Sequence, residues 1–358
     1  MKQNTGDSLP RNSTRSNATT LRGYALNCFV YSKPGQFGEL LYMKSFLRLV
    51  NQIIALVILA GCLSIASYAS SSDIHFDSGK SALKIPFELH NNQIYLQIPI
   101  NGSKPLWFIL DTGARTVISR SAAQKLDLEL REQGQFQSTG ELISFKVAST
   151  KNVSFKLPGA ALTIQNVAVV VFEDVEKCVG HTADGIFGLE FFNSSVVEID
   201  YKKRLINVYE AKSYKYSGKG EAVSLEPLSS GLITVRADVT PSNRTSITGK
   251  FMIDTGFTLS LLLNSPFVEG NKLLAAGQGQ NLTVCGFGEA KAIKDKVAAL
   301  RLGSFKFDDL NTILSQAKSG VNAADDFDGL IGGEILSQFK VIFDYSRGRM
   351  ILESYSQS

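Results

Sequence analysis

The sequence predicts an all-β protein made of two copies of one folding unit, and three observations lead there. A long internal repeat divides most of the chain into matching halves, short alternating or β-branched runs recur between turn residues, and only two stretches carry a helical pattern. The repeat is the firmest of the three. Phe108-Ile109-Leu110-Asp111-Thr112-Gly113 returns as Phe251-Met252-Ile253-Asp254-Thr255-Gly256, 143 residues later. The 27 residues from Asp184 then align without a gap on those from Asp328, 144 residues later. That second match pairs Gly185 with Gly329, Gly188 with Gly332, Glu190 with Glu334 and Asp200-Tyr201 with Asp344-Tyr345.

The elements follow in chain order. Residues 1–42 precede Met43 and read as an extension, either not native to the protein or cytoplasmic. Residues 43–69 read as an export leader, because Lys44 and Arg48 stand before the apolar run Leu49 to Ala60. A cleaved signal, a lipoprotein signal and a membrane anchor all fit. Leu59-Ala60-Gly61-Cys62 resembles the lipobox of bacterial lipoproteins, which makes Cys62 a candidate for lipidation, and Ser67-Tyr68-Ala69 offers an ordinary cleavage site. Carrying the apolar stretch on to Ala66 gives the anchor, since a spanning helix needs about 20 apolar residues.

The first copy, residues 80–212, opens on the alternating run Gln93 to Ile100, which closes at the turn pair Asn101-Gly102. Phe108 to Leu110 is a buried-strand pattern running into Asp111, and Ser121 to Leu130 is a short helix. Residues 213–221, polar and rich in Gly and Ser, read as a linker. The second copy, residues 222–358, repeats the order with Leu232 to Val239, Phe251 to Ile253 and a helix over Gly333 to Gln338. Only Cys178 and Cys285 follow the leader; export permits a bridge between them, and two free thiols fit as well.

Charge excludes one class of function. The formal net charge of +4 is carried by the first 61 residues, and the remainder is close to neutral. No electrostatic footprint for nucleic acid is left. The three histidines, His75, His90 and His181, show no metal or nucleophile spacing.

The chemistry rests on Asp111 and Asp254. A lone Asp-Thr-Gly is an ordinary turn. Two of them, each after a buried-strand pattern and each about 73 residues before an apolar-apolar-Gly element, describe one site built from both copies. Hydrolysis of an amide by water needs a base for the water and an acid for the carbonyl and leaving nitrogen. Two carboxylates about 3 Å apart cannot both ionise, so they share a proton and divide these roles, as is established for aspartic proteases. Gly113 and Gly256 let backbone approach the opposite loop, and Thr112 and Thr255 hydrogen-bond across the pseudo-twofold.

The loop Phe108 to Ala114, with Asp184-Gly185-Ile186-Phe187-Gly188 and Asp328-Gly329-Leu330-Ile331-Gly332, resembles the pepsin and retropepsin clan of aspartic peptidases over roughly residues 85 to 355. The resemblance implies a bilobal pepsin-like protein of two fused retropepsin-like β-barrel lobes with a cleft between them, a monomer that cleaves peptides or unfolded proteins without metal or other cofactor. It also implies flaps about 25 to 45 residues beyond each Asp, for which Gly134 to Gly140 and Gly286-Phe287-Gly288 are candidates. The chain departs from the pattern two places after the first Gly. Thr258 stands there in the second loop, where the clan has a hydroxyl that supports the carboxylate, and Arg115 stands there in the first. Arg115 is therefore a candidate modulator of the Asp111 pKa, with Asp111 expected to stay ionised. A non-catalytic, exported ligand-binding protein on the same scaffold is the rival from another class.

Overall fold

The computed structural model describes residues 56–57, 71–137, 144–172, 180–242, 245–274, 279–286 and 288–355. The extension, Cys62 and Cys178 lie outside them, as does the leader apart from Leu56–Val57, which pairs in parallel with Cys285 and Gly286. No helix among the described residues is long and apolar enough to cross a membrane.

The fold is all-β, as the sequence predicts. The first copy supplies a sheet of strand order 88–90, 93–98, 106–110, 185–187, 117–119, 160–170, 144–157 and 131–137, with 72–76 added alongside 160–170. The second copy repeats that order through 226–227, 233–241, 247–253, 329–331, 261–263, 305–315, 288–302 and 280–286. There, pairing of 233–241 with 288–302 curls the sheet towards a barrel. A third sheet of six strands draws on both copies, in the order 221–224, 349–354, 339–344, 196–200, 205–209, 81–86. Its central seam is antiparallel, with Val197 to Asp200 against Lys340 to Phe343.

Local chemistry explains the elements that position the site. His90 and Gln93 pair across a two-residue turn whose Asn91 and Asn92 have φ of 48° and 64°. Such a turn demands left-handed backbone at both positions, which Asn tolerates better than most residues. The hairpin tip therefore carries Asn92 and Gln93. The strand from Gln93 stops at Ile98, with Ile100 making a further single bridge to Phe155, and the Asn101-Gly102 turn follows with positive φ at both residues.

The helices differ most from expectation. The predicted helix over 121–130 is six residues, Arg120–Lys125, capped by the Ser119 hydroxyl accepting from Ala122 N–H. Asp127, with φ of 49°, ends it early. The helix predicted over 333–338 spans Gly333–Leu336. Leu189–Ser194 and Ser265–Gly270 are helices the pattern did not announce. In the first of them Leu189, Glu190, Phe191 and Phe192 are all buried, so no polar face marks a period of 3.6.

Aromatic rings link the halves below the site. Phe155, Phe187, Phe191 and Phe192 stack in sequence at centroid distances of 4.6 to 5.6 Å, and Phe192 continues to Phe343 and Tyr345 of the second copy. Burying one such ring stabilises the fold by about 2 kcal/mol. Residues 211–220 carry neither strand nor helix; their Tyr214 and Tyr216 cover Val196, Ile342 and Ile351 of the third sheet.

Candidate active site

Each copy brings its aspartate in on the end of a strand held from two sides. Phe108–Leu110 runs parallel to Gly185–Phe187, which turns its other edge antiparallel to Val117–Ile118. The glycine-led strand thus threads between the two arms of the first Asp-Thr-Gly loop. The second loop is built alike, with Gly329–Ile331 between Phe251–Ile253 and Leu261–Leu263. A carboxylate fixes the entry to each thread: Asp184 accepts the Trp107 N–H at 2.9 Å and Asp328 the Lys250 N–H at 2.7 Å. The threads close the loops from behind, with Asp111 N–H donating to Phe187 O and Asp254 N–H to Ile331 O, both at 3.0 Å.

The loops meet through their threonines. The Thr112 hydroxyl donates to Ile253 O at 2.7 Å and accepts the Thr255 N–H at 3.0 Å. The Thr255 hydroxyl donates to Leu110 O at 2.8 Å and accepts the Thr112 N–H at 3.0 Å. Four fully buried hydrogen bonds thus cross between copies, and each threonine uses both its donor and an acceptor lone pair.

This places the two carboxyl groups against each other. Asp111 and Asp254 are each 1% exposed and hydrogen-bond one another. The glycines are what allow it: a Cβ on Gly113 would lie 2.8 Å from Asp254 Cγ, and one on Gly256 would overlap the Asp111 carboxyl. Burial pushes both carboxyls above the usual carboxylate range. The Asp111 carboxyl is raised further by the negative charge of Asp254 and by their shared hydrogen bond, while Asp254 is pushed up to about 6.

The order of the pair reverses the expectation from sequence. Asp254 Oδ1 accepts two backbone donors, Gly256 N–H at 2.8 Å and Phe257 N–H at 3.0 Å. Among the described residues one backbone donor reaches Asp111, the Gly113 N–H at 2.8 Å. Donors to a carboxylate favour its charged form, so the backbone favours Asp254 over Asp111 as the charged member of the pair. Arg115 does not alter this, because its guanidinium is turned away. Arg115 Nη1 meets Glu190 Oε1 at 3.2 Å and Nη2 donates to Ser230 O at 3.3 Å. Glu190, buried, also accepts the Thr116 N–H at 2.7 Å. Arg115 is thus a brace between the first loop, the helix behind it and a turn of the second copy.

Thr258 is buried beside the second carboxyl, and its carbonyl accepts the Asn92 amide at 3.1 Å. Two residues went unrecognised from sequence. Gln93, 1% exposed, reaches from the first copy to the carbonyl of Gly256. Tyr345 lies close enough to both carboxylates that burial and their charges push its phenol up. Its match with Tyr201 was visible in the repeat, but nothing there distinguished a site residue from a core one. Of the flap candidates, strands 131–137 and 144–157 pair, as do 280–286 and 288–302 as far as Gly286 and Gly288. The tips at 138–143 and 287 lie outside the described residues.

No curated protein matches the chain. Residues 96–191, which hold Asp111, the first loop, its threading strand and Glu190, match the family model described as aspartyl protease.

Proposed function

We propose that the protein is an exported, single-chain aspartic endopeptidase of two pepsin-like lobes that hydrolyses peptide bonds with water activated between Asp111 and Asp254. The observation that carries this reading is the mutual contact of two buried carboxyls at the meeting of the two Asp-Thr-Gly loops. A water held by the pair loses a proton to Asp254 as its oxygen bonds to the scissile carbon, while Asp111 donates its proton to the carbonyl oxygen. The tetrahedral diol collapses as the proton on Asp254 passes to the leaving nitrogen and a diol hydroxyl returns its proton to Asp111. No covalent bond to the protein forms, and the pair ends in its starting state. The substrate is a peptide or an unfolded protein, and the protein acts as a monomer. Export is supported by Lys44, Arg48 and the apolar run that follows them, with attachment to the cell envelope through that segment or through Cys62.

The test is digestion of a peptide library between pH 3 and 7, with cleavage positions read by mass spectrometry. The wild type cleaves, a statine-type mimic of the tetrahedral state blocks it, and Asp111→Asn or Asp254→Asn lowers the rate by about 10²- to 10⁴-fold. A wild type as inert as Asp111→Asn that still binds peptides would identify a ligand-binding protein instead.

A further inference from the structure

Gln93 is a buried amide with both ends committed. Its Nε2 donates to Gly256 O at 2.5 Å, and its Oε1 accepts from the Tyr95 hydroxyl at 3.2 Å. The orientation is forced, because a carbonyl can only accept, so the amide nitrogen must face Gly256. Burial pushes the Tyr95 phenol up, which keeps it a donor. The Gly256 carbonyl belongs to the same peptide group as the Phe257 N–H, and that N–H donates to Asp254 Oδ1 at 3.0 Å. A single line of hydrogen bonds therefore runs Tyr95 to Gln93 to the 256–257 peptide to Asp254. Each bond in such a line polarises the next, so donation to the carbonyl strengthens the N–H as a donor.

The first loop has no counterpart. Strand register places Tyr95 opposite Ile109 and Thr234 opposite Met252, so Leu232 stands in the second copy where Gln93 stands in the first. A leucine side chain donates nothing. We propose that Gln93 is a positioning residue that, from the opposite copy, fixes the 256–257 peptide against Asp254 and thereby sets which carboxyl of the pair carries the charge. The proposal rests on the peptidase reading. The other titratable or charged groups around this line are Asp111 and Tyr345 at the pair, His90 and His181 against the Tyr95 ring, the Arg115 and Glu190 brace on the first loop, and Glu334, bonded to Ser260, on the second.

The experiment compares wild type with Gln93→Leu, Gln93→Met and Tyr95→Phe on the full chain. It follows kcat and KM against pH, the 13C carboxyl titration of the aspartates and the thermal midpoint. With Gln93 removed, Asp254 holds its proton to higher pH, so the acid limb of kcat/KM and the lower carboxyl titration both move up by about half a pH unit or more. KM stays within twofold, and Tyr95→Phe shifts both in the same direction by less. Folded Gln93 variants whose profile and titration superimpose on wild type overturn the proposal. If neither Gln93 variant folds, Tyr95→Phe decides, and an unmoved titration overturns it. An inert wild type defeats the peptidase reading alone, since the carboxyl titration still reports on Gln93 without turnover.

Discussion

Thr112 and Thr255 show how much one hydroxyl can hold. Each donates to a strand carbonyl of the other copy and accepts that copy's loop N–H, inside a region closed to water. Removing a hydroxyl orphans a buried carbonyl and a buried N–H together, and each orphan costs on the order of 1 to 3 kcal/mol. Thr112→Val is therefore expected to lower the thermal midpoint by several degrees and Thr112→Ser to leave it near wild type. In a double-mutant cycle with Thr255→Val the two losses should be non-additive, because the two hydroxyls make separate bonds in one network across the same pair of loops. Strictly additive losses in calorimetry would argue against coupling between the two halves of the network. At this scale the sequence was informative about chemistry and poor about direction. The Asp-Thr-Gly pair was legible because both residue type and spacing recur. The orientation of Arg115 was not, because its partner Glu190 sits 75 positions away and nothing local says that a guanidinium beside an aspartate will choose another carboxylate.

The element that most constrains the site is the threading strand with its closing glycine. Gly188 N–H donates to the Thr116 hydroxyl at 3.1 Å and Leu189 N–H to Ala114 O at 2.8 Å, so the end of the thread is sewn to the first loop on both sides. A Cβ on Gly188 would overlap the Ala114 carbonyl, backbone that has nowhere to move, and Gly332 stands in the same relation to Leu259 and Phe257. Gly188→Ala is expected to separate thread from loop, costing at least ten-fold in turnover and more than about 2 kcal/mol of stability. A variant with wild-type turnover and midpoint would show that the loop tolerates the opening. Such threads were readable in advance because Asp, Gly and two apolar residues recur in both copies. The helices behind them were not: Leu189–Ser194 is six residues long with its first four all buried, and so short a run reads equally as strand or helix. Gln93 was hidden for a similar reason, since a glutamine at the head of an alternating run looks like the solvent face of a strand.

For the whole molecule the buried pair is a cost to stability that depends on pH. Both carboxyls bind their protons more tightly when folded than when unfolded, so their contribution to stability is fully present below the unfolded pKa of about 4. It is lost as pH rises through about 6 for Asp254, and the raised Asp111 carboxyl contributes in the same direction. The protein should therefore lose on the order of 2 kcal/mol of stability between pH 4 and 7 from Asp254 alone. Asp254→Asn removes the group that must ionise in the buried site, and its midpoint should exceed that of wild type at pH 7 while differing little at pH 4. Equal midpoints at both values would mean that the pair is not buried as a charged unit. The six-stranded sheet is what carries this load, with Val197 to Asp200 seamed to Lys340 to Phe343 beneath both loops. Joining the copies in one polypeptide has a further effect, seen in the unlike neighbours of the two aspartates. In a symmetric homodimer any change near one carboxyl is repeated near the other, so a single gene cannot favour one side. Here Gln93 faces one loop while Leu232 holds the matching place, and Arg115 braces the other loop. Two halves encoded in one chain are free to differ, and the proton between them can be assigned an address by mutation.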